Sequence, residues 1–263
     1  PHIIIFKFIN PSEISFPPTR NPGPFWEAGA FAGFLVIAIV FNCFISGSLF
    51  RNKENKIFII ALLTTMSTTG YIAFFIFSLA WIIYKENSDK KLFILPVAFV
   101  VVVILFSRLE FLQDKITTQI SNVDPDDFTT QKRSRFVSAL VDLEDIRKNP
   151  LLGKGKNKFT RFEGYYEDEV LSHRNNSFTG YAQKFGLIAW FIYFFFTFKS
   201  FIKMSYFYKI PKNIGVASFL VLCVLSFSQD FLYKPFFYTF LFFHLIYNLP
   251  YARKTHNNYS YLQ

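Results

Sequence analysis

Long apolar runs separated by short basic clusters dominate this chain. The runs occupy residues 28–50, 57–84, 92–106, 185–198, 214–227 and 236–249. A helix that crosses a bilayer needs about 20 residues, so the shorter runs must borrow flanking positions. The 57–84 run is the exception, too long for one crossing and too short for two. It is interrupted at residues 64–70 by TTMSTTG, whose hydroxyls and glycine weaken a helix interior. The pattern therefore allows either one kinked span or a hairpin of two short or tilted helices bent near residues 67–70.

The basic clusters choose between them. A single crossing would put RNKENK (51–56) and KENSDKK (85–91) on opposite sides of the membrane. A hairpin instead gathers both clusters on the cytoplasmic side, together with the lysines of KSFIKMSYFYKIPKN (199–213) and Arg253 and Lys254 of the tail. The hairpin predicts an extracytoplasmic N-terminal segment over 1–27 and transmembrane helices over 28–106, with the broken hairpin at 57–84. It predicts a periplasmic or extracellular loop over 107–180, further transmembrane helices over 181–250 and a cytoplasmic tail over 251–263. Interrupted backbone at membrane depth needs protein or a water-filled cavity around it, so the STTG stretch would line a protected site or its mouth. Hydroxyls bonding back to helix carbonyls in a kinked span account for the same motif.

Composition supports this layout. Hydrophobic residues make up 52% and aromatics 21% of the chain, and mean hydropathy is +0.27, more than a water-soluble domain needs for one core. The expected fold class is all-α, a polytopic transmembrane helical bundle with a large extracytoplasmic loop containing an amphipathic helix. The net charge of +10 falls in clusters between apolar runs, so the positive-inside bias explains it without a nucleic-acid partner. Cys43 and Cys223 lie within apolar runs as small hydrophobes, and the four histidines are too scattered for zinc. No metal site and no cofactor are expected. The chain opens on Pro1 with neither initiator Met nor signal peptide, which predicts the C-terminal part of a longer polytopic protein.

Chemistry concentrates in the segments expected outside. In TTQKRSRFVSALVDLEDIRKNP, Thr129 or Thr130 would cap a helix that ends at Pro150. Phe136, Leu140, Leu143 and Ile146 form a stripe suited to lying on the membrane domain. Arg133 and Arg135 fall in its first turn, where a cation opposes the macrodipole. A phosphate ligand would favour them through planar, bidentate donors; solvated pairing with Asp126 or Asp127 is the alternative. Gly153 and Gly155 of NPLLGKGKNKF offer backbone amides to an anion, or simply make an exposed turn. Arg20 precedes a rigid Pro/Gly turn, and Glu27 heads a membrane helix, where an acid is electrostatically favoured in any case. In LSHRNNSFTGYAQKFGLIAW, His173, Arg174, Asn175 and Asn176 crowd against an apolar span. A carboxylate, arginines and a histidine at one outer surface make a site for a diphosphate and a proton acceptor.

The order RNPGPFWEAGAFA (20–32), TTMSTTGYIA (64–73), RFVSALVDLEDIRKNPLLGKG (135–155) and SHRNNSF before FGLIAW resembles the O-antigen ligase and O-antigen polymerase superfamily of bacterial envelopes. The resemblance spans nearly the whole chain. It implies a GT-C-like, multi-pass glycosyltransferase of the bacterial inner membrane, metal-independent and with its active face extracytoplasmic. Such an enzyme transfers a glycan from undecaprenyl diphosphate to a hydroxyl of a glycan or lipid-core acceptor, building O-antigen, capsule or exopolysaccharide. The family's diphosphate-binding arginines match Arg20 and Arg135, with Arg133 less well aligned. Its histidine directly precedes asparagine, whereas here Asn175 takes that place and His173 lies two residues upstream. His173 or Glu27 would take the acceptor's proton, and Arg174, Asn175 and Asn176 would contact donor or acceptor. Polymerase and ligase share these features. A lipid-linked oligosaccharide transporter or flippase would use the same arginines without breaking a bond, and a membrane scaffold would not need them.

Overall fold

The apolar stretch after Glu27 carries no proline, and in a computed structural model of the chain it forms one helix, α1 (Ala28–Ser46). The structure describes residues 20–25, 27–85, 135–155, 157 and 176–246, and every regular element among them is helical. The elements after α1 are α2 (Lys53–Thr64), α3 (Thr68–Lys85), α4 (Arg135–Lys148), α5 (Ser177–Phe207), α6 (Lys212–Ser228) and two short helices, α7 (Pro235–Tyr238) and α8 (Phe243–Ile246), joined by a 3₁₀ turn at Thr239–Leu241. α1, α3 and α5, of 19, 18 and 31 residues, are long and apolar enough to cross a membrane. This is a polytopic helical membrane protein. α6 is apolar but shorter, at 17 residues. The 92–106 run lies outside the described residues.

The chain folds as two compact units, Pro1–Glu86 with Ile202–Leu225, and Asn87–Phe201 with Ser226–Gln263. In the first, α2 and α3 both pack on α1. α1 ends at Gly47, whose φ of 66° lets its amide reach back 2.9 Å to the Cys43 carbonyl, the left-handed cap that glycine adopts without steric cost. Asn52 then caps α2 by accepting from Glu54 N–H. Fully buried Asn55 donates to the carbonyls of Ser48 and Leu49 and accepts from Asn42 Nδ2, so the tight connection is satisfied from within. Cys43 is buried and receives an Asn55 N–H.

The interrupted 57–84 run becomes two helices. α2 stops at Thr64, Met66 takes a left-handed φ of 46°, and α3 starts at Thr68. The Ser67 hydroxyl accepts Gly70 N–H, a helix-starting cap. Gly70 is there for space: a Cβ would stand 2.6 Å from that of Ala32 on α1.

In the second unit, α4 departs from the expected stripe. Ile146 is buried, but Leu140 and Leu143 are exposed, and the buried face is made of Ala139, Val141, Asp142, Asp145 and Ile146. The cause is that both acids find partners within this unit, described below. α5 begins earlier and ends later than the 185–198 run, and it is kinked at Gly186. The 236–249 run is divided among α7, the 3₁₀ turn and α8 as far as residue 246. Side chains of α5 take over backbone partners there: Tyr193 O–H donates to the Phe237 carbonyl, and Ser200 Oγ accepts His244 N–H.

Candidate functional site

The Pro/Gly turn ahead of α1 is built as an anchor for Arg20. Asn21 Oδ1 accepts Gly23 N–H at 2.9 Å, a side-chain turn that Asn favours. Gly23 has a φ of 54°, and a Cβ there would press into the Phe31 ring. Phe25 stacks on Phe31 and Phe34 of α1. The same asparagine reaches the helix break. Its backbone N–H donates to the Thr64 carbonyl at 3.1 Å, and its Nδ2 donates to Thr64 Oγ1 at 3.0 Å.

Arg20 completes the contact by donating from Nε to the Thr65 carbonyl at 3.3 Å. That carbonyl is one of the groups a helix end leaves without an intrahelical partner, at the negative pole of the macrodipole, where a cation is favoured. Tyr71 O–H closes a second one, the Leu63 carbonyl, at 2.7 Å. Burial pushes the Arg20 guanidinium below its usual pKa, while the charges of Glu27 and then Tyr71 act in the opposite direction. It stays a cation at any physiological pH. Only Nε is spent on Thr65, so the planar pair of Nη groups remains outside that bond. Glu27 occupies the N-cap position of α1 with extended backbone, and its side chain does not cap the helix. Arg20 and Glu27 are thus brought within electrostatic reach of each other.

In the second unit the break in α5 is closed by the Pro150–Gly155 turn. Gly186 has φ 80° and ψ 168°, a conformation essentially reserved for glycine. A Cβ on Gly186 would collide with the Leu151 carbonyl, and one on Gly153 would stand 2.6 Å from Gly186 N. Lys154 and Gly155 donate their amides to the carbonyls of Gln183 and Lys184 at 2.9 and 3.0 Å, and Leu187 donates to the Pro150 carbonyl at 2.8 Å. Gly153 N–H bonds the Asn149 carbonyl. Of the amides expected to be open to an anion, that of Gly155 is therefore committed to the helix break and that of Gly153 to the end of α4, and Gly153 serves close approach.

The side chains around this closure were missed from sequence. Lys154 Nζ lies 2.7 Å from Asp145 Oδ1, with 10% and 2% of the side chains exposed. Gln183 Nε2 donates to Asp145 Oδ2, and Thr179 Oγ1 donates to Asp142 Oδ2 at 2.7 Å. The available signal was spacing: acids three apart on α4 can face Thr179 and Gln183, four apart on α5. Asn176 caps α5, its Oδ1 accepting the amides of Phe178 and Thr179. It is 1% exposed, and its Nδ2 has no hydrogen-bond partner among the described residues. Arg135 is the first residue of α4, its side chain not among those described. Arg133, His173, Arg174 and Asn175 lie outside the described residues.

A family model for O-antigen ligases matches residues 56–194, just over half of the 263. The chain belongs to the O-antigen ligase family. No curated protein and no solved structure matches it. Membership places it among membrane glycosyltransferases that handle lipid-linked glycans and polysaccharide. The O-antigen ligase match starts in α2 and ends in α5 beyond Gly186, so it includes both helix breaks, Arg133, Arg135 and His173 to Asn176. Arg20 and Glu27 precede it.

Proposed function

We propose that this protein transfers a glycan from undecaprenyl diphosphate to a sugar hydroxyl on a glycan or lipid-core acceptor, as a ligase or polymerase of surface polysaccharide. The observation that carries this reading is the setting of Arg20, fixed through Nε at the end of α2 with its Nη pair outside that bond. A guanidinium so held is preorganised for two oxygens of a diphosphate. As the acceptor oxygen bonds the anomeric carbon, the bond from that carbon to the diphosphate oxygen breaks and the electron pair leaves with undecaprenyl diphosphate. Positive charge fixed beforehand stabilises that leaving group without reorganisation. The acceptor's proton passes to His173 or Glu27. Family resemblance assigns Arg135, and less closely Arg133, to the diphosphate, and Arg174, Asn175 and Asn176 to sugar contacts. Asn176 Nδ2, which has no partner among the described residues, supports its share of that assignment, because a buried N–H without an acceptor costs about 1–3 kcal/mol. The reading includes an extracytoplasmic active face in the bacterial inner membrane and charge stabilisation by arginine in place of a metal.

The test is reconstitution of the protein in nanodiscs with undecaprenyl diphosphate-linked repeat units, acceptor and no nucleotide. Lengthened or transferred glycan should appear together with free undecaprenyl diphosphate, and folded Arg20→Ala should lose both. Donor binding without either product, with both acceptor classes supplied, would point instead to transport.

A further inference from the structure

The Pro150–Gly155 turn that closes α5 also carries the most exposed large apolar side chain among those described. Leu152 is 81% exposed and its neighbour Leu151 is 61% exposed. Backbone bonds on both sides fix them: Leu187 N–H to the Pro150 carbonyl and Lys154 N–H to the Gln183 carbonyl. The backbone of both residues packs so closely on Gly186 that a Cβ there would collide with it. Two leucines are therefore held outward, and water is a poor environment for them.

What covers them follows from where the turn is attached. After Lys184 the sequence of α5 carries no charge until Lys199. Beyond Gly186 it exposes Leu187, Ile188, Phe191, Ile192 and Phe195, positions that recur on one helical face. On a membrane-crossing helix that face meets lipid. Lys184, whose Nζ stands 4.3 Å from the Tyr233 ring centroid, marks the polar side of the boundary. The leucine turn is thus bonded to α5 where its charged end gives way to its lipid-facing stretch. Exposed Arg147 just ahead of it suits phospholipid headgroups, while Lys148 beside it pairs with Glu144 at 3.1 Å.

We propose that this turn inserts Leu151 and Leu152 into the interfacial layer of the bilayer, clamping α4 to the membrane surface at the break in α5. The partner is the lipid surface itself, and the inference stands whatever reaction the protein catalyses.

An environment-sensitive fluorophore on Leu152→Cys tests it, in the full chain carrying Cys223→Ala, since Cys43 is buried and protected from label. In nanodiscs of phosphatidylethanolamine and phosphatidylglycerol, the emission should shift to the blue. Doxyl-labelled lipid should quench it several-fold more than it quenches the same label on Glu144→Cys, and aqueous iodide several-fold less. Iodide quenching equal to that at position 144, with no response to doxyl lipid, would overturn the proposal. Leu151→Cys gives a second reading on the same terms if the first variant is not recovered as a monodisperse protein.

Discussion

Two helices in this molecule are broken, and the breaks are finished in opposite ways. Between α2 and α3, the freed carbonyls of Leu63, Thr64 and Thr65 are taken by Tyr71, Asn21 and Arg20. Within α5, residues 183–187 bond the backbone of a glycine-rich turn and are sealed by it. The first break ends in a charged side chain whose Nη groups lie outside the bond to Thr65; the second consumes the amides of Lys154 and Gly155. An interrupted apolar helix is therefore not a site by virtue of its interruption. The groups that complete its hydrogen bonds decide.

The comparison is broken most severely at the sealed end. Gly186→Ala forces a Cβ into the Leu151 carbonyl in a backbone region only glycine favours. Expected destabilisation is about 4 kcal/mol or more, read as loss of the monodisperse protein or a large drop in thermal midpoint in detergent. Asp145→Ala removes the buried carboxylate that pairs with Lys154 and should cost about 3–5 kcal/mol, whereas Asp145→Asn, which keeps one of the two acceptor oxygens and so can serve Lys154 or Gln183 but not both, should cost somewhat less in the same melt.

At the open break the large effect is on activity. Arg20→Ala should lower turnover of lipid-linked donor by roughly 10²-fold, the loss of one charge-stabilising donor group, with the thermal midpoint little changed. Arg20→Lys should recover little, since an ammonium lacks the planar fork. Gly70→Ala crowds Ala32 and should destabilise by about 1–3 kcal/mol; adding Ala32→Gly should return part of it. The smallest change is Asn21→Ala, which removes a tie to Thr64 worth about 1 kcal/mol and should raise the donor KM a few-fold more than it lowers kcat.

The first break was legible because hydroxyls and a glycine punctuate an apolar run at 64–70, and all-helical architecture was legible from the runs themselves. The second was not. Gly186 sits just inside the start of an apolar run, with no hydroxyl or proline beside it to mark a break, and its conformation is imposed by a turn some thirty residues away. Asp142 and Asp145 read as the wet side of an amphipathic helix, since a period of 3.6 ranks charges as outward. Their partners Lys154, Thr179 and Gln183 are non-local, and pairing alone makes burial tolerable. Leu140 and Leu143 were misplaced for the same reason, being apolar residues displaced from the buried face by paired acids. Around the candidate site, sequence named Arg20 and Glu27 but not the bond to Thr65 that fixes the guanidinium, because that contact joins segments 45 positions apart.

Equilibrium binding of undecaprenyl diphosphate to the full chain in nanodiscs separates the open break from the sealed one, with wild type compared against Arg20→Ala and against Gly155→Ala. Arg20→Ala should lose at least tenfold in affinity, and a folded Gly155→Ala should lose none. Equal affinity in wild type and Arg20→Ala, with both proteins folded, would mean that Arg20 does not hold the diphosphate.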